Sequence, residues 1–183
     1  MARLRIFSAL LAAGFSGAAL ADSIDINLNN DSIQAAYASI WRAADFSLGL
    51  VSNRETHDWV ASAGLLAFGT RQAATRTEVA VGGKVYLVSV GNSDLRALGL
   101  GGAVRVFPRN GPIAIGGYAF YAPDIVTGGD GKSFWETGVH VDFEVMKNTA
   151  DIYVGYRKIR AELNDGSHVT VDSGGHVGVR ISF

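Results

Sequence analysis

From Asp22 to Phe183 the chain repeats one pattern: apolar and polar residues alternate along nearly every stretch between turn signals. Near the C-terminus Val177, Val179, Ile181 and Phe183 alternate with His176, Gly178, Arg180 and Ser182. Upstream, Ile152, Val154 and Tyr156 are interleaved with Asp151, Tyr153, Gly155 and Arg157, and Trp135, Val139, Val141, Phe143 and Val145 with Glu136, Gly138, His140, Asp142 and Glu144. Successive side chains of an extended backbone leave opposite faces, so each stretch reads as a strand with one greasy and one polar side. Proline is confined to Pro108, Pro112 and Pro123, at strand ends, and turn residues punctuate the pattern. The predicted strands are 23–29, 32–40, 44–53, 58–69, 76–90, 97–107, 113–122, 133–147, 150–160 and 173–183.

Alternation also suits a soluble sandwich; what precedes it narrows the choice. Arg3 and Arg5 lead into an apolar run from Ile6 to Leu20, closed by Ala19-Leu20-Ala21. Positive flank, short apolar core and small-residue exit predict a secretory signal over residues 1–21, cleaved after Ala21. Removing those 21 residues from 183 leaves 162, one domain over 22–183. It also leaves 14 basic residues against 17 acidic ones, which gives no support to a nucleic-acid partner. No later segment is long and apolar enough for a membrane helix. Cysteine is absent, which removes disulfides and thiolate chemistry.

A strand in lipid finds no hydrogen-bond partner except another strand, so a spanning sheet must close on itself. The expected fold is all-β, an antiparallel transmembrane β-barrel of ten strands. Segment 23–29 is shorter than the roughly 9–11 residues a membrane strand needs, so eight strands plus an N-terminal hairpin is the alternative. Glycines inside apolar stretches (Gly82-Gly83, Gly99, Gly101-Gly102, Gly116-Gly117) fit the curvature that closure demands. Turn lengths agree in part: 109–111 and 147–149 are short, as inner turns should be, and 124–132 and 161–172 are the longest. The outward turn at 54–56 is short and the inner one at 71–75 intermediate, against that rule. Aromatic residues of apolar-face parity form two candidate girdles: Trp59, Tyr121, Trp135 and Tyr156 toward the outer ends, Trp41, Phe46, Phe143 and Phe183 toward the inner ends. The competing architecture is a soluble periplasmic, lipocalin-like barrel with the Trp59, Trp135, Tyr156 and Val179 face hidden inside.

The polar face would line the lumen with Asp25, Asn27, Glu78, Lys84, Arg105, Glu136, His140, Asp142, Glu144, Tyr153, Arg157 and Arg180. Counting back from the turn at 147–150 sets His140 opposite Arg157, with Asp142 diagonal to it. Arg105 falls diagonal to Glu78, and closure brings Arg180 near Asp25. Unpaired ions in a narrow bore would lose hydration at several kcal/mol each, so neutralising pairs are expected. A plugged, structural interior follows, with a narrow, weakly selective channel as the alternative. For enzymes, His140 with Asp142 and His57 with Asp58 are the only base–carboxylate candidates. Ser62 and Ser133 are unremarkable serines with no nucleophile elbow, so no catalytic residue is assigned. The remaining histidines lack metal-ligand spacing, and neither 127–131 nor 164–166 supplies a calcium loop, so no metal or cofactor is expected. Loops 124–132 and 161–172 could meet lipopolysaccharide.

Several segments resemble one family. Ser23-Ile24-Asp25-Ile26-Asn27-Leu28-Asn29-Asn30-Asp31-Ser32 is similar to the start of the YfaZ family of outer membrane proteins. Ala97-Leu98-Gly99-Leu100-Gly101-Gly102, Tyr121-Ala122-Pro123-Asp124 and Val154-Gly155-Tyr156-Arg157 resemble its later segments, in the same order. The resemblance implies an exported barrel of the Gram-negative outer membrane and brings no catalytic residues. Terminal Phe183, after alternating apolar residues, resembles the signal that outer membrane barrels present to their assembly machinery; oligomeric state stays open.

Overall fold

The structure, a computed structural model, describes residues 21–183. Residues 1–20 of the expected leader therefore lie outside the described residues. The strands are β1 (Ala21–Leu28), β2 (Ser32–Trp41), β3 (Ala44–Asn53), β4 (Trp59–Gln72), β5 (Arg76–Val90), β6 (Ser93–Phe107), β7 (Ile113–Ala122), β8 (Thr127–Gly129), β9 (Gly131–Met146), β10 (Ala150–Leu163) and β11 (His168–Ser182). Every pairing is antiparallel. Sequence neighbours pair in turn, β7 pairs directly with β9, and β11 closes on β1 in register Asp25↔Arg180. The result is a closed ten-stranded barrel, with the three-residue β8 laid against the upper end of β6.

The first strand has only eight residues, yet it is hydrogen-bonded to β2 on one side and β11 on the other. The N-terminal hairpin is thus part of the wall, and the eight-stranded alternative is set aside. Asp22 and Phe183 exchange backbone hydrogen bonds of 3.0 and 2.8 Å at the seam. Several strands run further than the alternation indicated: β4 reaches Gln72, β6 starts at Ser93, β10 reaches Leu163 and β11 starts at His168. The expected long loop at 161–172 shrinks to 164–167, and most of 124–132 is a short 3-10 turn, Asp124–Val126, followed by β8. These extensions are rich in small and polar residues. Pairing continues there, beyond the apolar band whose signature the alternation detects.

The two faces of the wall invert the soluble pattern. Ile24, Ile26, Leu65, Val81, Leu100, Ile115, Val139, Val154, Val177 and Val179 are all exposed on the outside, while Asp142, Asp172 and Arg157 are buried within. A water-soluble lipocalin-like barrel would need the opposite arrangement, because so continuous an apolar exterior is stable only against lipid. Val154 sits at mid-wall with Val141 and Val177 as its cross-strand neighbours. Val154→Arg is expected to cost about 2–4 kcal/mol, read as a lower denaturant midpoint of the lipid-embedded barrel. Val154→Leu should leave the midpoint nearly unchanged, and an equally tolerated Arg would show that this face does not meet acyl chains.

Candidate functional site

Large polar side chains fit into so narrow a bore because inward-facing glycines stand beside them. His140 is paired in register with Gly116 and Gly155, Tyr153 with Gly178, Tyr118 with Gly138, and Arg157 with both Gly138 and Gly174. A methyl group at Gly116 would sit 2.2 Å from His140 Nε2, and one at Gly178 2.3 Å from the Tyr153 ring. These glycines therefore supply room in the lumen.

The lumen is layered from the end that carries the turn 164–167 to the end where β1 begins and β11 finishes. The upper layer is apolar: Val51, Val60, Val88, Leu95, Phe134, Ile159, Leu163 and Val171 form one buried cluster. Beneath it lie two buried polar knots. In the first, the Tyr86 hydroxyl donates to Glu136 Oε2 at 2.7 Å, and Lys84 Nζ stands 3.5 Å from the same oxygen. In the second, Arg157 Nε donates to Asp172 Oδ2 at 2.6 Å, with both side chains 1% exposed. The Arg157 guanidinium also donates to Asn27 Oδ1, Ser32 Oγ and Gln34 Oε1, and Asp172 accepts further from Ser32 and Asn29.

The lowest layer is ionic. Arg105 donates to Asp151 at 2.6 Å and to Asp142 at 3.3 Å, and Arg180 bonds Asp25 at 3.0 Å and Asp142 at 3.4 Å. Asp25 also accepts from the Tyr153 hydroxyl at 2.5 Å. Arg76, stacked 3.5 Å from the Phe107 ring centroid, reaches Glu144 at 2.7 Å and Glu78 at 3.5 Å. A cavity of about 500 Å³ fills the remaining space, bounded below by Ser23, Asn148 and Ser182 and above by Asn27, Gln34 and Glu136. A pocket of about 40 Å³, room for little more than one water, lies above it toward Val51, Val60 and Tyr86.

All eleven residues assigned to the lumen from sequence parity (Asp25, Glu78, Lys84, Arg105, Glu136, His140, Asp142, Glu144, Tyr153, Arg157 and Arg180) point inward into these layers. Their partners differ from the sequence count at two places. The turn 147–149 closes on the pair Met146–Ala150 and a bulge follows Ala150, which together shift β10 against β9 by two residues from the sequence count, so His140 lies opposite Gly155 and Arg157 opposite Gly138. Arg157 is thereby carried away from His140 and Asp142 toward Asp172, a residue the sequence reading left in a loop. Arg105 lies directly opposite Glu78, at 3.9 Å, and Arg180 directly opposite Asp25. Gln34, Asp45, Arg76, Tyr86, Tyr118 and Asp151 also line the interior, beyond the residues the sequence assigns to the lumen. Of the aromatic residues assigned to girdles, Trp41, Phe46, Trp59, Tyr121, Phe143, Tyr156 and Phe183 are exposed on the outer face, and Trp135 is half-buried there, paired with Tyr121.

Asp58 accepts from the Gly91 amide at 2.9 Å and from the Thr56 hydroxyl at 2.6 Å, bracing the turn in which His57 adopts a positive φ. Ser133 Oγ contacts Glu162 at 3.3 Å, and His140 Nε2 stands 3.4 Å from an Asp142 that two arginines already hold. Among the described residues no group of three or more His, Cys, Asp or Glu side chains is placed to hold a metal ion. In the segments weighed for calcium, the Asp165 carboxylate accepts from the Ser167 amide at 2.8 Å and Asp130 accepts from the Asp94 amide at 3.0 Å.

Comparison with known proteins gives a family and a distant structural likeness. No curated protein sequence matches the chain. Among solved structures, the outer membrane channel DcaP of Acinetobacter baumannii is similar at 11% identity and a TM-score of 0.40, over 87% of this chain. The chain spans about half, 54%, of the length of that channel. The family model described as "YfaZ precursor" matches residues 1–183, the full length. The chain belongs to the YfaZ family and is a β-barrel of the Gram-negative outer membrane.

Proposed function

We propose that this barrel is a sealed structural element of the outer membrane, neither an enzyme nor an open pore, whose interior is stitched shut by charge pairs and capped by an apolar layer. The observation that carries this reading is the bore at the level of Leu95, Phe134, Ile159 and Val171, each at most 1% exposed. An ion passing that layer would have to shed its hydration with no polar group to replace it, which costs several kcal/mol or more. With the end where β1 begins and β11 finishes on the periplasmic side, the cap faces outward and the ionic cavity faces the periplasm. The turns at the capped end, 123–130 and 164–167, then lie at the level of lipopolysaccharide, and Phe183 at the periplasmic rim is the element offered to the assembly machinery.

Planar lipid bilayers test the reading. The native barrel is expected to give no resolvable current steps. Combined replacement of Leu95, Phe134 and Ile159 by alanine is expected to open a measurable conductance without changing strand content. The second reading, a narrow channel, draws on the cavity of about 500 Å³ that already occupies the lower bore. Steady single-channel steps from the native chain, altered by Asp142→Ala, would establish that channel and overturn the sealed barrel.

A further inference from the structure

The cavity in the lower lumen has two unlike walls. On the β5–β11 side the cations are committed: Arg76 to Glu144 and Glu78, Lys84 to Glu136, Arg105 to Asp151 and Asp142, and Arg180 to Asp25. The opposite wall, from β2 to β4, is built of small and apolar side chains, among them Ala36, Ala38, Ile40, Leu66 and Phe68. One charge is set in that apolar wall. Asp45 lines the cavity directly between Ile40 and Leu66 in the strand register.

Among the described residues the Asp45 side chain has no hydrogen bond and no ion pair, and its Oδ1 is shut away from solvent without a donor. Lys84 is bound to Glu136 and lies over the Phe120 ring at 4.4 Å. Six carboxylates line the cavity against four cations, and with the other five already paired, Asp45 is the one carboxylate of this lining without a cation beside it among the described residues. A carboxylate with one desolvated oxygen and no partner favours a cation at the other, most of all a cation that brings its own N–H donors. The volume suits a small organic molecule, and the apolar wall suits a hydrocarbon body.

From these features the geometry points to a binding site, open toward the end where β1 begins and β11 finishes, for a small amphipathic organic cation: an ammonium group held by Asp45, with a compact apolar body against Ala36, Ala38, Leu66 and Phe68. The site goes beyond the sealed-barrel reading and does not depend on it, since a ligand can enter and leave by one mouth whether or not the cap conducts.

The test uses the full barrel in lipid nanodiscs and three phenyl-bearing probes of similar size: 2-phenylethylammonium, neutral 2-phenylethanol and anionic phenylacetate. Equilibrium dialysis, with empty nanodiscs subtracted, is expected to show saturable one-to-one binding of the ammonium. The alcohol and the anion should bind about tenfold or more weaker, the difference a charge-assisted hydrogen bond makes. Asp45→Asn should lower ammonium affinity to that of the alcohol and leave the alcohol unchanged. Ala38→Leu, which fills the cavity without touching a charge, should weaken ammonium binding with Asp45 intact. Equal binding of the three probes, ammonium affinity unmoved by either variant, or no saturable ammonium binding would each overturn the site. If Asp45→Asn does not assemble, the probe comparison on the native chain and Ala38→Leu decide it.

Discussion

Arg157→Ala is expected to destabilise the barrel by about 3–5 kcal/mol, the cost of leaving a buried charge without its partner. The guanidinium is 1% exposed and fixes Asp172, Asn27, Ser32 and Gln34 at once, drawing β1, β2, β10 and β11 together across the seam. Without it, Asp172 keeps its charge among polar groups but loses its cation. The measurement is the urea midpoint of the folded band, which migrates differently from the heated band on a gel. The double variant Arg157→Met with Asp172→Leu is expected to recover most of the loss, because a buried ion pair replaced whole by apolar groups of similar volume is often neutral. A single variant within about 1 kcal/mol of the native barrel would mean that water reaches this pair.

A single methyl group at Gly101 is expected to do at least comparable damage, by a different route. A Cβ there would lie 2.0 Å from the Ala119 carbonyl oxygen and 2.7 Å from Phe120 Cα. Backbone cannot move aside as a flexible side chain can, so Gly101→Ala forces β6 away from β7 and should cost about 3 kcal/mol or more, enough to prevent assembly. Two glycines calibrate the result. Gly99→Ala meets the edge of the Tyr86 ring at 3.0 Å and otherwise makes ordinary contacts of 3.5 Å or more, and is expected to be mild; Gly69→Ala meets nothing within 4 Å and should be neutral. Yield of the heat-modifiable band in the outer membrane fraction ranks the three. If all three assembled equally well, close packing between the strand backbones would not constrain this wall.

The fold was legible because lipid and lumen impose opposite demands on alternate residues. In β10, Ile152, Val154 and Tyr156 could only face outward and Asp151, Tyr153 and Arg157 only inward, and the same parity ran through β5, β9 and β11. The side chains read for the lumen lie on the inward face of these strands. The girdle positions remain a proposal about membrane depth, since facing outward does not fix the level of a ring. Where the strands project past the apolar band, as at Thr127–Gly129 and His168–Val171, lipid no longer selects residue type, and the reading mistook paired strand for loop.

Partner choice inside the lumen was much less visible. Parity states which face a residue occupies, but which charge meets which depends on register, and one bulge after Ala150 moves every later pair on β10 against β9. Together with the turn closed by Met146 and Ala150, that shift took Arg157 from His140 to a site between two glycines and delivered it to Asp172. The seam pair Asp25–Arg180 was reachable because the closing strands leave little choice of register. The apolar cap was hidden for a related reason: Leu95, Phe134, Ile159, Leu163 and Val171 come from four strands, and nothing in any one of them says they share a level.

By itself, then, the sequence determined a closed antiparallel barrel with a lipid-facing and a lumen-facing set of side chains, because a period-two pattern acts within each strand and needs no knowledge of its neighbours. Only the tertiary structure decided how the lumen is filled: which ions pair, where the apolar layer crosses the bore, and that Asp45 is left alone in a greasy wall. Those are properties of stagger between strands, and stagger is set by bulges and closure acting over the whole circumference.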